Sequence, residues 1–402
     1  MSAVITGIGV VAPTGIGVAE HWKASLAGVH ALSVLPESPI PLAGRVPGFE
    51  GADHVDPRLL VQTDRWTWFT LAASDLAFSD ARFDPAAVDP LRLSVVTASG
   101  SGGNAFGQRE IEALWRDGPR AVSAYQSIGW FYAAASGQLS IKHQLKGPCG
   151  VVVADAAGGI DAVTQSLRLL RDSSDLVLVG AAEAPLSPYA LACQSGRTEL
   201  SRDDEPRTAY RPFHPEACGF VPGEGGAMLV LESPARAAAR GAEAYAEIVA
   251  TASTHDGHHP VDPPPDSAQL VRVLRLAVGR AGLTPAEIDV VFADGLGDPR
   301  WDALEAEAIR TVFGRIPVAV PKTMTGRLCS GGAALDIAWA ALALEHAVIP
   351  PSVHLDGAGT RLGLDVVTEA RERPLRTALV LARGAGGFNA AAVLRRPPEG
   401  KS

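Results

Sequence analysis

The 402-residue chain has no cluster of lysine and arginine and no long run of either charge, although 20% of its residues are charged and its net charge is -9. A phosphate-binding surface needs concentrated cations, so this distribution argues against a nucleic-acid partner. The acidic balance favours solubility. No apolar stretch is long enough to span a bilayer, which argues against membrane insertion. The opening MSAVITGIGVVAP lacks a basic flank and a small-residue cleavage site. It is expected to be a buried strand and not a signal peptide, with the cytoplasm as the default location.

Cysteine is scarce too. Cys149, Cys193, Cys218 and Cys329 lie far apart, with no CxxC pair among them. That spacing argues against a zinc site or a disulfide framework, and free, buried thiols are expected. His255, His258 and His259 crowd into HDGHHPVDPPPD, but a proline-rich loop with adjacent histidines offers no ligand geometry, so no metal is assigned.

What is present is a 47% hydrophobic composition, enough for a large core, arranged as short apolar runs alternating with Ala-rich helical stretches. The pattern is that of an α/β protein. Strands are expected at 4–11, 93–98, 151–154, 176–180, 227–232, 246–252, 290–293, 318–321, 378–382 and 390–394. Continuous runs such as LVLVG suit central strands covered on both faces. The same order of elements recurs, so two similar halves are expected, 1–240 and 241–402, with insertions at 36–64 and 100–147. The polar, Pro-rich tail from Arg395 to Ser402 is expected to fray.

The segment from Gly147 to Arg171 carries the most information. A β-branched run ends in small residues, and Ile160, Val163, Leu167 and Leu170 then form one helical stripe. Such a turn places a side chain at the positive end of a helix, where a catalytic thiol would be activated. Gly158 and Gly159 allow close backbone approach there. Yet the turn reads Asp155, Ala156, Ala157, and none of these can attack a thioester.

Six blocks in order resemble β-ketoacyl synthases and span nearly the whole chain: VITGIGVVAPTG, the turn above, YRPFHPEACGFVPGEGGAMLVLESPARAAARGA, VVFADGLGDPRWDALEAEAI, VPKTMTGRLCSGGAALD and ALVLARGAGGFNAAAVL. The resemblance implies a thiolase-like fold, with two βαβαβ-type halves in five α-β-α-β-α layers, and no cofactor. It also places Ala156 where active members carry the condensing cysteine, and Asp294 and Arg327 where they carry two histidines. Without thiolate and imidazoles, the chain should not perform condensation. Asp294 would repel an enolate, and Arg327 cannot cycle a proton.

Loss of all three groups, together with ADAAGG, PKTMTGRL and ARGAGGFN, resembles the chain-length-factor branch of type II polyketide synthases. That resemblance implies a heterodimer with a catalytic ketosynthase alpha subunit, contact with acyl carrier protein, and a shared tunnel for the growing polyketide. Many such subunits hold Gln at the position of Ala156, linked to malonyl-carrier decarboxylation in priming. Alanine has neither donor nor acceptor, which weakens that second reading. A third reading is a homodimeric acyl-binding scaffold.

By the same resemblance Asn104, Gly107, Ile111 and Ile128 line or gate the tunnel, and the first three share one helix face by spacing. Ordinary core or dimer packing is the competing reading of each. Minimal Gly107 and aliphatic Ile111 and Ile128 suggest a deep tunnel. Trp130, Phe131 and Tyr132 would anchor the partner or fill the core. Arg168, Arg171, Arg197, Arg202 and Arg207 are candidates for carrier docking, and Arg383 for the vestigial pocket or a salt bridge.

Overall fold

A computed structural model describes residues 2–397. The sheet strands are β1 (Ala3–Ala12), β2 (Leu93–Ala98), β3 (Cys149–Val152), β4 (Leu176–Glu183), β5 (Gly225–Glu232), β6 (Ala246–His255), β7 (Val290–Phe292), β8 (Pro317–Ala319), β9 (Asp365–Val366), β10 (Thr377–Gly384) and β11 (Phe388–Arg395). Their order is β9-β8-β7-β10-β11-β6-β1-β5-β4-β2-β3, and the short strand Gly15–Ile16 pairs with β1. The helices that build the layers are α1 (Arg65–Asp80), α2 (Asn104–Asp117), α3 (Ala134–His143), α4 (Gly158–Asp172), α5 (Ala268–Arg280), α6 (Pro299–Phe313) and α7 (Ser330–His346).

The layering follows from which helices can be buried on every side. α7 is apolar all round, and its residues from Ala333 to Leu344 are buried without a break. A helix of that kind needs protein on all faces. It packs on β4 and β5 on one side, on β10 and β11 on the other, and against α4 within its own layer. Outside the first part of the sheet lie α1 and α3; outside the second lie α5 and α6. Five layers result, as the resemblance implies. β4 and β5 are buried along their full lengths, in keeping with strands covered on both faces.

Three expectations need correction. The strand placed at 151–154 runs from Cys149 to Val152, because the chain must leave the sheet before Asp155, whose φ is 47°. The strand placed at 318–321 ends at Ala319, since Pro321 opens a 3-10 turn. The thiols are not generally buried. Cys149, Cys193 and Cys218 are exposed and Cys329 is half-buried, all four free. Cys149 begins the edge strand β3, which has no neighbour on its outer side among the described residues. No helix among those residues is long and apolar enough to cross a membrane. Of the tail expected to fray, residues 398–402 lie outside the described residues.

Candidate functional site: a vestigial pocket

β3 feeds α4 through a 3-10 turn, Asp155–Ala157. Asp155 adopts the left-handed region, which costs a non-glycine residue about 1 kcal/mol or more and needs local support. The support is visible. Its Oδ2 accepts the Ala385 N–H at 2.7 Å, and its carbonyl accepts the Ser330 hydroxyl at 2.9 Å. Gly159 is required by the neighbouring helix, because a Cβ there would lie 2.8 Å from the Ala334 nitrogen. The turn thus aims Ala156 into a cavity also lined by Asp294, Lys322, Arg327, Cys329 and Asp336. The structure therefore unites the three degenerate positions that the sequence singled out.

Asp294 and Arg327 face each other. Arg327 Nη1 donates to Asp294 Oδ2 at 2.9 Å and Nη2 to Oδ1 at 3.0 Å, a bidentate pair with side chains 3% and 10% exposed. The Arg383 N–H donates to the same Oδ1 at 3.0 Å. Burial alone would raise the Asp294 carboxyl, but Arg327 and Lys322 outweigh it and hold the group below its usual range. Considered singly, Asp294 is a repelling charge and Arg327 an idle cation; together each neutralises the other. On the side of Lys322 and Asp336 the cavity keeps only about 10 Å³ of free space, barely room for one water.

Lys322 Nζ is similarly committed, to Asp336 at 2.7 Å and to the Ala293 and Asp294 carbonyls at 2.8 and 3.1 Å. Burial raises the Asp336 carboxyl to about 6 despite this lysine. Cys329 borders the cavity, but burial, Asp155 and Glu183 push its thiol well up, so it stays protonated and unreactive.

Two acids were not anticipated from the sequence. Glu305 accepts the Asp294 and Gly295 N–H groups at 2.7 and 3.0 Å, and Asp302 accepts those of Phe213 and Gly297 at 2.8 and 3.0 Å. They clamp the DGLGD turn that carries Asp294. Burial raises them to about 7 and about 8. Their available signal was an i, i+3 pair of acids on the buried face of an amphipathic helix, where charge is expected only with a partner.

On the other side Ala156, Asp294 and Arg327 face a cleft of about 40 Å³ that Arg197, Trp301 and Arg383 also line. Arg383 lies 4.6 Å over the Trp301 ring and 4.0 Å from Asp256, so it is both near the pocket and beside a carboxylate. Arg168 and Arg171 border a different groove with Arg280. The five arginines proposed for docking therefore do not form one patch.

The tunnel candidates are grouped by two glycines. A Cβ on Gly103 would lie 1.9 Å from the Gly129 carbonyl oxygen, and one on Gly107 would lie 2.9 Å from Trp130 Cδ1. Glycine at both positions lets α2 press against the short helix Gln126–Gly129 that carries Ile128. Asn104, Gly107 and Ile128 thus belong to one packed unit, while Ile111 points outward and is exposed. In the single chain the place that a side chain at 107 would take is held by the Trp130 indole. Trp130 and Phe131 are exposed, so core packing does not describe them.

Comparison with known proteins agrees with this geometry. The family description "Beta-ketoacyl synthase, N-terminal domain" matches residues 2–237, and "Beta-ketoacyl synthase, C-terminal domain" matches residues 245–356. The tetracenomycin polyketide synthase ketoacyl synthase beta subunit of Streptomyces glaucescens is 46% identical, covering 98% of this chain and 98% of its own. Among solved structures, the ishigamide ketosynthase/chain length factor superposes with a TM-score of 0.91 at 26% identity, over 99% of both chains. A type II polyketide synthase acyl-carrier protein in complex with its hexaketide-bound ketosynthase gives 0.89 at 26%, again over 99% of both. With layers, turn and both family signatures in agreement over most of its length, the chain belongs to the β-ketoacyl synthase family.

Proposed function

We propose that this chain is the non-condensing, chain-length-determining subunit of a type II polyketide ketosynthase. It pairs with a catalytic alpha subunit in the cytoplasm and walls the tunnel into which acyl carrier protein delivers the growing polyketide. The observation that carries the reading is the bidentate Asp294–Arg327 pair beside Ala156, which leaves the pocket without a nucleophile or an imidazole. The unit of α2 and Ile128 supplies a wall. In this reading the halves 1–240 and 241–402 meet around that pocket, and no cofactor takes part.

A wall measures length sterically, because an overlong chain must distort close-packed protein at about 1–3 kcal/mol or more. Replacing Ile128 with tryptophan in the co-expressed heterodimer is expected to shorten the dominant product. The full-length fraction should fall about tenfold, equivalent to about 1.4 kcal/mol. Product analysis by mass spectrometry checks this, and an unchanged length distribution would remove Ile128 from the wall.

Residual malonyl-carrier decarboxylation in priming is the weaker reading, since Ala156 offers no polar group. A homodimeric scaffold is separated from the proposal by size measurement with and without the co-expressed alpha subunit. A third test addresses the pocket directly. Ala156→Cys restores a thiol at the helix terminus but no imidazole, so the variant alone is expected to elongate no malonyl-carrier. Sustained elongation by that variant would show that the Asp294–Arg327 pair does not silence the site.

A further inference from the structure

The helix bearing the wall residues begins in an unusual way. Its N-cap is Gly103, which contributes no side-chain hydrogen bond. No larger residue fits there, because a Cβ would lie 1.9 Å from the Gly129 carbonyl oxygen. A helix start normally relies on such a side chain to accept an otherwise unpaired N–H. Here the acceptor comes from elsewhere. Asp64, 2% exposed, accepts the Phe106 N–H through Oδ2 at 2.6 Å, the group at the third helical position of α2. Its Oδ1 accepts the Trp66 N–H at 3.4 Å, in its own role as N-cap of α1. One carboxylate therefore caps two helices.

The turn leading into α2 is held by a second buried acid. Glu183, at the end of β4 and fully buried, accepts the Gly100 N–H at 2.5 Å and the Ser101 N–H at 3.4 Å through Oε1. The Asn104 side chain in turn donates to the Ser101 hydroxyl. Asp155 and Ser330, from the vestigial turn and the start of α7, lie beside Glu183. Segment 100–106 is thus tied to β4 and to the start of α1 by two buried acids, Glu183 at Gly100 and Ser101 and Asp64 at Phe106.

We infer that Asp64 and Glu183 are positioning residues for chain length: they fix where α2 and its wall residues stand, without touching the polyketide. This inference rests on the proposed function and adds two buried residues to it. It separates a ruler's surface from what holds the ruler still. Losing a cap of ordinary strength shifts a local equilibrium by about fivefold, enough to loosen a wall without unfolding the chain.

The test compares product lengths from heterodimers carrying Asp64→Asn, Glu183→Leu, Glu183→Gln and Asp80→Asn. The amide introduced by Asp64→Asn can accept only one of the two N–H groups, and the leucine of Glu183→Leu accepts neither of its pair. Both variants should therefore raise the fraction of off-length product about threefold to fivefold. Glu183→Gln keeps a carbonyl acceptor and should behave as wild type. Asp80 accepts the Ile8 N–H and the Tyr245 hydroxyl elsewhere, so Asp80→Asn should lower the melting temperature and leave lengths alone. If Asp64→Asn and Glu183→Leu also lose only thermal stability, the inference is overturned. If Ile128→Trp is silent as well, the ruler reading itself fails. Should either variant not co-purify, amide exchange on the wild-type heterodimer decides. The Phe106 and Gly100 amides should be protected like helix interiors, and loop-like exchange would overturn the inference.

Discussion

Replacing Arg327 with methionine is expected to destabilise the protein by about 3–5 kcal/mol, whereas adding Asp294→Asn to that variant should recover most of the loss. The asymmetry follows from burial. A buried ion pair contributes little net stability, because desolvation of both ions offsets their attraction. Removing one ion leaves the other desolvated and alone. Asp294 is 2% exposed, and its remaining contacts, the Arg383 N–H and nearby Lys322, cannot replace a bidentate guanidinium. Asparagine keeps an acceptor for that N–H and removes the charge. Urea midpoints of the single and double variants provide the measurement. Equal destabilisation of both would mean that the two buried charges do not compensate each other, and the carrying observation of the proposed function would weaken with it.

How much of this was legible depended on sequence distance. The central strands and the α4 stripe were readable because their signal is local: LVLVG is apolar on both faces, and Ile160, Val163 and Leu170 are buried as their spacing demands. Ala156 was readable because a strand, a small-residue turn and a helix adjoin in sequence. The Asp294–Arg327 pair was not, since the partners stand 33 residues apart and each had a separate meaning when taken alone. The same holds for Gly107. Its lack of a side chain predicts space, but Trp130 from the following loop fills that space. Asp64 as the cap of α2 is the extreme case, because a cap is ordinarily sought next to its helix and this one lies 42 residues away. The thiols erred for another reason. Cysteine is usually buried in an isolated fold, but Cys149 sits on a sheet edge that a single chain leaves open.

Phe131→Asp is expected to weaken association with the alpha subunit by about 2–3 kcal/mol, or about 30- to 150-fold in Kd. Phe131 and Trp130 are 51% and 43% exposed, Trp115 is 83% exposed, and Val153 just beyond β3 is 55% exposed. Scattered apolar side chains need no explanation, but these come from consecutive parts of one insertion and from the adjoining edge strand. β3 also lacks charge and proline, the usual devices that keep a sheet edge from pairing. Aromatic residues concentrate at interface cores, and an aspartate there must be buried without a partner. Val61→Asp provides the control. Val61 is 64% exposed just after the short helix Pro57–Leu60, outside this insertion, and its substitution should leave association unchanged. Titration of the tagged alpha subunit against each variant distinguishes the outcomes. Equal affinities for Phe131→Asp, Val61→Asp and wild type would place the partner on another face, and the wall formed by α2 would then have no tunnel to close.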